Sequence, residues 1–202
     1  MFQYFETIKY QNGEFFLLDY HEERMNRTRR EALGESQAIS LLANIKLTPE
    51  DDQVYRCKVR YKKNIQTVDY FPYSLAAHKS MEIKDAGNYD YSYKSTDRKF
   101  LLDAVEASEQ DEVLFVKNGF VTDTSYCNVV LHDGHQWVTP STYLLKGVKR
   151  SFLLDKGLIK EKEIRVEDLP HFSKIALINA MRDFEMVYSF QIDNEVIKLT
   201  EL

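Results

Sequence analysis

The placement of the tight-turn signals constrains this chain most. Asn12-Gly13, Asn118-Gly119 and Asp133-Gly134 each separate two extended-looking runs, and Asp193-Asn194 marks one more turn near the end. A two-residue turn of the favoured type needs positive φ at its central positions, which Asn, Asp and Gly accept most readily. The flanking runs therefore predict hairpins in both halves, pairing 3–9 with 14–18, 113–116 with 120–122 and 128–131 with 136–139. Helical signals fall between them. Asp19 with Glu22 three residues on predicts a capped helix over 20–33, stopped by Gly34. Further helices are predicted over 37–45, after Lys94 from the apolar run 100–105, and over 148–155 before Gly157. Strands are expected at 55–61, 66–73, 159–164, 174–178 and 186–191. Hairpins in both halves, without repeated βαβ alternation, predict the α+β class. The polar, irregular stretch 77–93 predicts a small N-terminal α+β lobe over 1–80, a connection over 81–93 and a larger C-terminal α+β lobe over 94–202.

Composition narrows the function. Of 202 residues, 44% are hydrophobic, enough for a sizeable core, and the net charge of −5 argues against a nucleic-acid surface. The basic cluster Arg27-Thr28-Arg29-Arg30 is expected on a solvated helix face. Cys57 and Cys127 form no metal or redox motif and are expected as reduced, buried thiols. The five histidines lack metal-ligand spacing, so no metal is expected. With no secretory pattern at the start and no membrane-length apolar run, the expectation is a cytoplasmic protein acting on a small molecule, with no nucleic-acid or membrane partner.

Several chemically capable residues occur in a suggestive order. His21-Glu22-Glu23-Arg24 lies on the first helix. Lys94 precedes the next helix, in Tyr-Ser-Tyr-Lys-Ser-Thr-Asp-Arg. Asp123 sits in Gly119-Phe-Val-Thr-Asp, with Asn128 five residues on. Gly147-Val148-Lys149 opens a helix, and Asn179-Ala180-Met181 follows a strand. Each has an ordinary reading alone: a surface lysine, a turn aspartate, a surface ion pair of Arg24 with Glu22 or Glu23, a helix-entry glycine, a strand-end turn. Together they supply an amine for covalent chemistry, a carboxylate for a ring nitrogen, and an arginine with helix-start amides for a phosphate. Those are the groups that pyridoxal 5′-phosphate (PLP) requires.

Their order resembles the class IV aminotransferases, the fold-type IV PLP enzymes, over nearly the whole chain from Phe5-Glu6-Thr7-Ile8 to about Val187. The resemblance implies a two-lobed fold of the D-amino-acid aminotransferase-like type, with PLP between the lobes, and a homodimer. It implies Lys94 as the Schiff-base lysine and Arg24 as a phosphate ligand. Asp123, where the family has Glu, would face the pyridine nitrogen, and Asn128 would stand at the family's Ser-Asn. The amides of Gly147, Val148 and Lys149, and the turn Asn179-Ala180-Met181, would contact the phosphate. Lys149 replaces a family Thr and Lys146 a family Pro. The chain also starts near the family's Phe-Glu-Thr strand, which leaves open a compact relative or one with weakened chemistry.

Within the family, Lys94-Ser95-Thr96-Asp97-Arg98 and Asn179-Ala180-Met181 resemble the lyase branch. That branch converts 4-amino-4-deoxychorismate to 4-aminobenzoate and pyruvate for folate synthesis. A transaminase of branched-chain or D-amino acids, and a non-catalytic interaction protein on the same fold, stay open. Substrate contacts are expected from Thr7, Arg60, Tyr61 or Arg98. Strand alternation places Arg56, Lys58 and Arg60 on one face, which serves equally as an exposed basic strand.

Overall fold

The computed structural model describes the chain from Gln3 to Leu202, apart from Leu47, Asp183 and Glu185. The chain forms two compact units. The first comprises Met1–Leu75 and Tyr93–Asp97, the second Ala76–Ser92 and Arg98–Leu202.

In the first unit, β1 (Tyr4–Gln11) and β2 (Glu14–Phe15) meet at Asn12-Gly13, with φ of 51° and 80°. The expected second strand is cut short because Leu17 turns left-handed (φ 55°) and starts the helix α1 (Leu18–Leu33). Asp19 therefore lies in the first turn rather than at the cap, where its charge still complements the helix dipole. Gly34, at φ 71°, ends the helix as expected. Strands β3 (Tyr55–Tyr61) and β4 (Ile65–Pro72) complete an antiparallel sheet in the order β2-β1-β3-β4. Ile8, Cys57, Val59 and Met25 are fully buried in its core. Each such side chain contributes roughly 1.5–3 kcal/mol of burial.

The helix expected over 37–45 is reduced to a single 3₁₀ turn, Leu42–Asn44. Polar side chains of α1 take its backbone groups instead. Asn26 bonds both the N–H and the carbonyl of Ile39, Arg29 donates to the Gln37 carbonyl at 2.5 Å, and Glu22 accepts from the Leu41 N–H at 2.6 Å. Arg29 is consequently buried, not solvated as its basic cluster suggested.

The second unit is built on a larger sheet. Its elements are β5 (Ser80–Asp85), α2 (Lys99–Glu106), β6 (Glu112–Lys117), β7 (Phe120–Thr124), β8 (Asn128–His132) and β9 (Trp137–Pro140). Then follow α3 (Val148–Asp155), β10 (Lys160–Lys162), β11 (Lys174–Ile178), β12 (Val187–Asp193) and β13 (Val196–Glu201). Among the described residues the order is β10-β9-β8-β11-β12-β13-β5-β6-β7, and β7 pairs back onto β8. That pairing closes the strands from β8 round to β7 into a ring and covers the edge of β7, with β9 and β10 extending from β8 outside the ring. The parallel pairs, β5–β6 and β9–β10, are spanned by α2 and α3, as parallel pairing demands a long crossover. The core between the strands includes Leu114, Val121, Val129, Leu131, Ile175 and Ile197.

The unit boundary departs from the expected one. Residues 81–93 are not a simple connection, because β5 is a sheet strand paired with β13 and β6. Lys94 is not carried by the C-terminal unit. Tyr93–Asp97 pairs with β1 of the first unit through Phe5 N–H to Lys94 O (3.0 Å) and Thr96 N–H to Gln3 O (2.8 Å).

Candidate active site

In the first unit the alternation of β1 turns Tyr4, Glu6, Ile8 and Tyr10 towards α1. Glu6 is thus a carboxylate with no exposed surface, and it must find cationic partners. α1 provides them three residues apart on one face. Arg24 donates through Nε to Oε1 at 3.0 Å and through Nη2 to Oε2, while His21 Nδ1 lies 2.7 Å from Oε2. Burial would raise the Glu6 carboxyl, but the Arg24 charge and the His21 hydrogen bond outweigh it and hold it at about 2. Burial also lowers the His21 pKa, so the ring is neutral at pH 7, with Nδ1–H on the carboxylate and a lone pair on Nε2. That Nε2 is buried with no hydrogen-bond partner among the described residues. The arrangement fixes the Arg24 guanidinium with two of its donor atoms already spoken for.

Phe5, Thr7 and Lys9 face the opposite side of the sheet. Cross-strand register adds Arg60 beside Phe5, Lys58 beside Thr7 and Arg56 beside Lys9. The Lys94 ammonium lies 4.8 Å from the centre of the Phe5 ring. Lys94 is half-buried, and its backbone is pinned by the Phe5 hydrogen bond.

In the second unit, the hairpin between β7 and β8 sets Asp123 directly opposite Asn128. The turn between them is closed by Thr124 N–H to Cys127 O at 2.8 Å. Opposed residues share a face, so Asn128 Nδ2 donates to Asp123 Oδ1 at 2.7 Å. The other carboxylate oxygen accepts from the N–H groups of Leu144 (2.9 Å) and Leu145 (2.8 Å). These backbone bonds draw the loop in around the shorter acid. Burial pushes the Asp123 carboxyl up to about 6 in spite of them. A carboxylate offers about four lone-pair sites and these bonds use three, so one acceptor position remains.

Asn128 is the hub of this half. A Cβ built on Gly147 would lie 1.9 Å from Asn128 Oδ1, so any other residue there must push the Asn128 side chain aside. Gly147 caps α3 without a side-chain hydrogen bond, leaving the helix start to a ligand or solvent. Val148 is buried, and Lys149 lies with its ammonium 5.9 Å from the Phe152 ring. Arg150 anchors the helix from inside, donating to Pro140 O at 2.9 Å and Glu161 Oε1 at 2.6 Å. On the neighbouring strand, Ile178 pairs with Asn128, and Asn179 follows. Asn179 Oδ1 accepts from the N–H groups of Met181 (2.8 Å) and Arg182 (3.1 Å), which folds Asn179-Ala180-Met181 into a tight turn.

Gly147→Ala tests this hub. The added methyl must displace Asn128 and with it one hydrogen bond to buried Asp123, so a loss of about 1–3 kcal/mol in urea unfolding is expected, together with weaker phosphate binding by the apo protein. Unchanged stability and binding would contradict this packing.

The substrate candidates separate. Thr7 and Arg60 share the Lys94-bearing face, where Arg60 is ion-paired to Asp69. Tyr61 points the other way into the core, fully buried with its ring 6.0 Å from that of Tyr4, which takes it off that face. Arg98 belongs to the second unit, donating to Ser125 O at 2.6 Å, and Ser125 in turn bonds buried Glu112. Glu6 and His21 were absent from the expected site. An acid at an inward position of β1 facing His-x-x-Arg was the signal for them.

The amino-transferase class IV family matches residues 3–189. The chain belongs to the class IV aminotransferase family of enzymes, and its fold is that family's mixed α+β fold. It is 35% identical over 186 residues to an uncharacterized protein of Haemophilus influenzae, covering 90% of this chain and 98% of that one. It is 30% identical over 200 residues to a Schizosaccharomyces pombe protein provisionally named aminodeoxychorismate lyase, covering 88% and 85%. Among solved structures it is similar to one from Haemophilus somnus, provisionally named 4-amino-4-deoxychorismate lyase, with 29% identity, 90% and 97% coverage and a TM-score of 0.76.

Proposed function

We propose that the chain is a PLP-dependent lyase that converts 4-amino-4-deoxychorismate to 4-aminobenzoate and pyruvate. The observation that carries this reading is the cationic face of the first unit's sheet. Arg56, Lys58 and Arg60 stand on the side of Thr7 and Phe5, where the Lys94 amine lies. The substrate brings two carboxylates, which such a face attracts. The two provisionally named lyases, at 30% and 29% identity, support the same branch of the family.

The residues fit the cofactor. Gly147 leaves an uncapped helix start that a Cβ would spoil, Arg24 is held rigidly, and Asp123 is a buried acid whose charge a protonated ring nitrogen would offset. Lys94 would be the covalent anchor. Arg24, the amides of Gly147, Val148 and Lys149, and the Asn179-Ala180-Met181 turn would hold the phosphate. Asp123, steadied by Asn128, would keep a proton on the pyridine nitrogen. When bound, PLP supplies an electron sink for charge developing at the substrate carbon that bears the nitrogen. Once the substrate amine has displaced it, the freed Lys94 amine would take the proton from that carbon and return it to the departing enolpyruvate, which leaves as pyruvate. Loss of enolpyruvate from the adjacent carbon then makes the ring aromatic. The homodimer and the cytoplasmic location expected of the family belong to this reading.

The test is incubation with 4-amino-4-deoxychorismate and no keto acid. Equal amounts of pyruvate and 4-aminobenzoate are expected. No release, with 2-oxoglutarate consumed against branched-chain or D-amino acids, would make the chain a transaminase instead.

A further inference from the structure

We infer that Lys58 binds the ring carboxylate of the substrate, making it a specificity-determining residue that selects amines carrying an acid across a ring. The inference rests on the lyase reading above. Lys58 pairs directly with Thr7, so its side chain shares the face of Phe5 and Arg60. Its ammonium lies 4.8 Å from the centre of the Phe5 ring, the same distance as that of Lys94. The two amines therefore lie no farther apart than twice that distance, and one buried aromatic side chain fixes both. Cation–π attraction holds both charged heads at the ring.

The spacing has a chemical meaning. A substrate whose amine reacts at Lys94 must place its carboxylate at a second cation. In an α-amino acid that group is one carbon from the reacting amine. In 4-amino-4-deoxychorismate and its product the ring carboxylate stands para to the amine, a longer span that the upper limit on the two lysines admits, and Lys58 is the cation that shares the Phe5 ring with Lys94.

The experiment uses PLP-loaded wild-type, Lys58→Met and Lys58→Arg proteins. Binding of 4-aminobenzoate and of its uncharged analogue 4-aminobenzamide is measured by calorimetry, alongside KM and kcat for the lyase reaction. Lys58→Met is expected to weaken 4-aminobenzoate and raise KM by at least about tenfold, the effect of one hydrogen bond to a charged group. Amide binding, kcat and PLP content stay near wild type, and Lys58→Arg recovers most of the loss. Equal 4-aminobenzoate affinity in Lys58→Met and wild type overturns the assignment while leaving the lyase reading intact. A matching loss for the amide overturns it too, because the effect would not be one of charge. Wild-type protein that neither releases pyruvate nor binds 4-aminobenzoate overturns both.

Discussion

Lys94→Ala is expected to abolish covalent attachment of PLP and to lower turnover by at least about 10³-fold, since one residue supplies both the nucleophile and the proton acceptor. The fold should survive. What Lys94 gives the first unit is its backbone carbonyl, which accepts from Phe5, and alanine retains that. The ammonium over the Phe5 ring is worth about 0.5–1 kcal/mol at a partly exposed site. Lys94→Arg keeps the charge on the ring but lacks the nucleophile, so it should be as inactive as the alanine variant. Absorbance spectra and initial rates check both, with a melting curve to confirm folding. Turnover within tenfold of wild type in either variant would remove Lys94 from the chemistry.

Glu6→Ala should be the most destabilising single change in the first unit. It leaves Arg24 and His21 buried around a missing carboxylate, a situation that typically costs about 3–5 kcal/mol. The pH dependence isolates the charge. The Glu6 carboxyl falls from 4.5 to about 2 on folding, so its contribution, about 3 kcal/mol, is complete above pH 4.5 and is lost as pH falls towards 2. Asp123 works in the opposite sense. Its carboxyl rises from 3.8 to about 6, so the native state binds the proton more tightly and stability decreases as pH rises through that interval. Urea unfolding from pH 3 to 8 should therefore show a maximum between the two effects. Glu6→Gln should flatten the acid limb, and Asp123→Asn the limb between about pH 4 and 6. An acid limb unchanged in Glu6→Gln would contradict the buried ion pair.

Much of the fold was legible because local chemistry and tertiary structure agree. Asn12-Gly13 and Asn118-Gly119 adopt the positive φ that their hairpins require, and Gly34 ends α1. The exceptions share one cause, which is that long-range bonds overrode local preference. Residues 37–45 have the composition of a helix, yet Asn26, Arg29 and Glu22 hold their backbone groups from α1. Residues 81–93 look irregular, but β5 takes its order from β13 and β6, neither of which is near in sequence. The same holds for the site. Lys94, Asp123 and Gly147 stood out by residue type and order. Glu6 and His21 needed strand alternation read together with helix spacing, and Lys58 needed the register of β1 on β3. Tyr61 was named with Arg60 although neighbours on a strand face opposite ways, and the structure puts it in the core.

The proposed chemistry requires a covalent bond between PLP and one lysine. Borohydride reduction of PLP-loaded protein, followed by digestion and mass analysis of the labelled peptide, tests it most directly. The pyridoxyl group is predicted on Lys94 and absent in Lys94→Ala. Label on Lys58 or Lys149, or none after PLP is added, would contradict Lys94 as the covalent anchor.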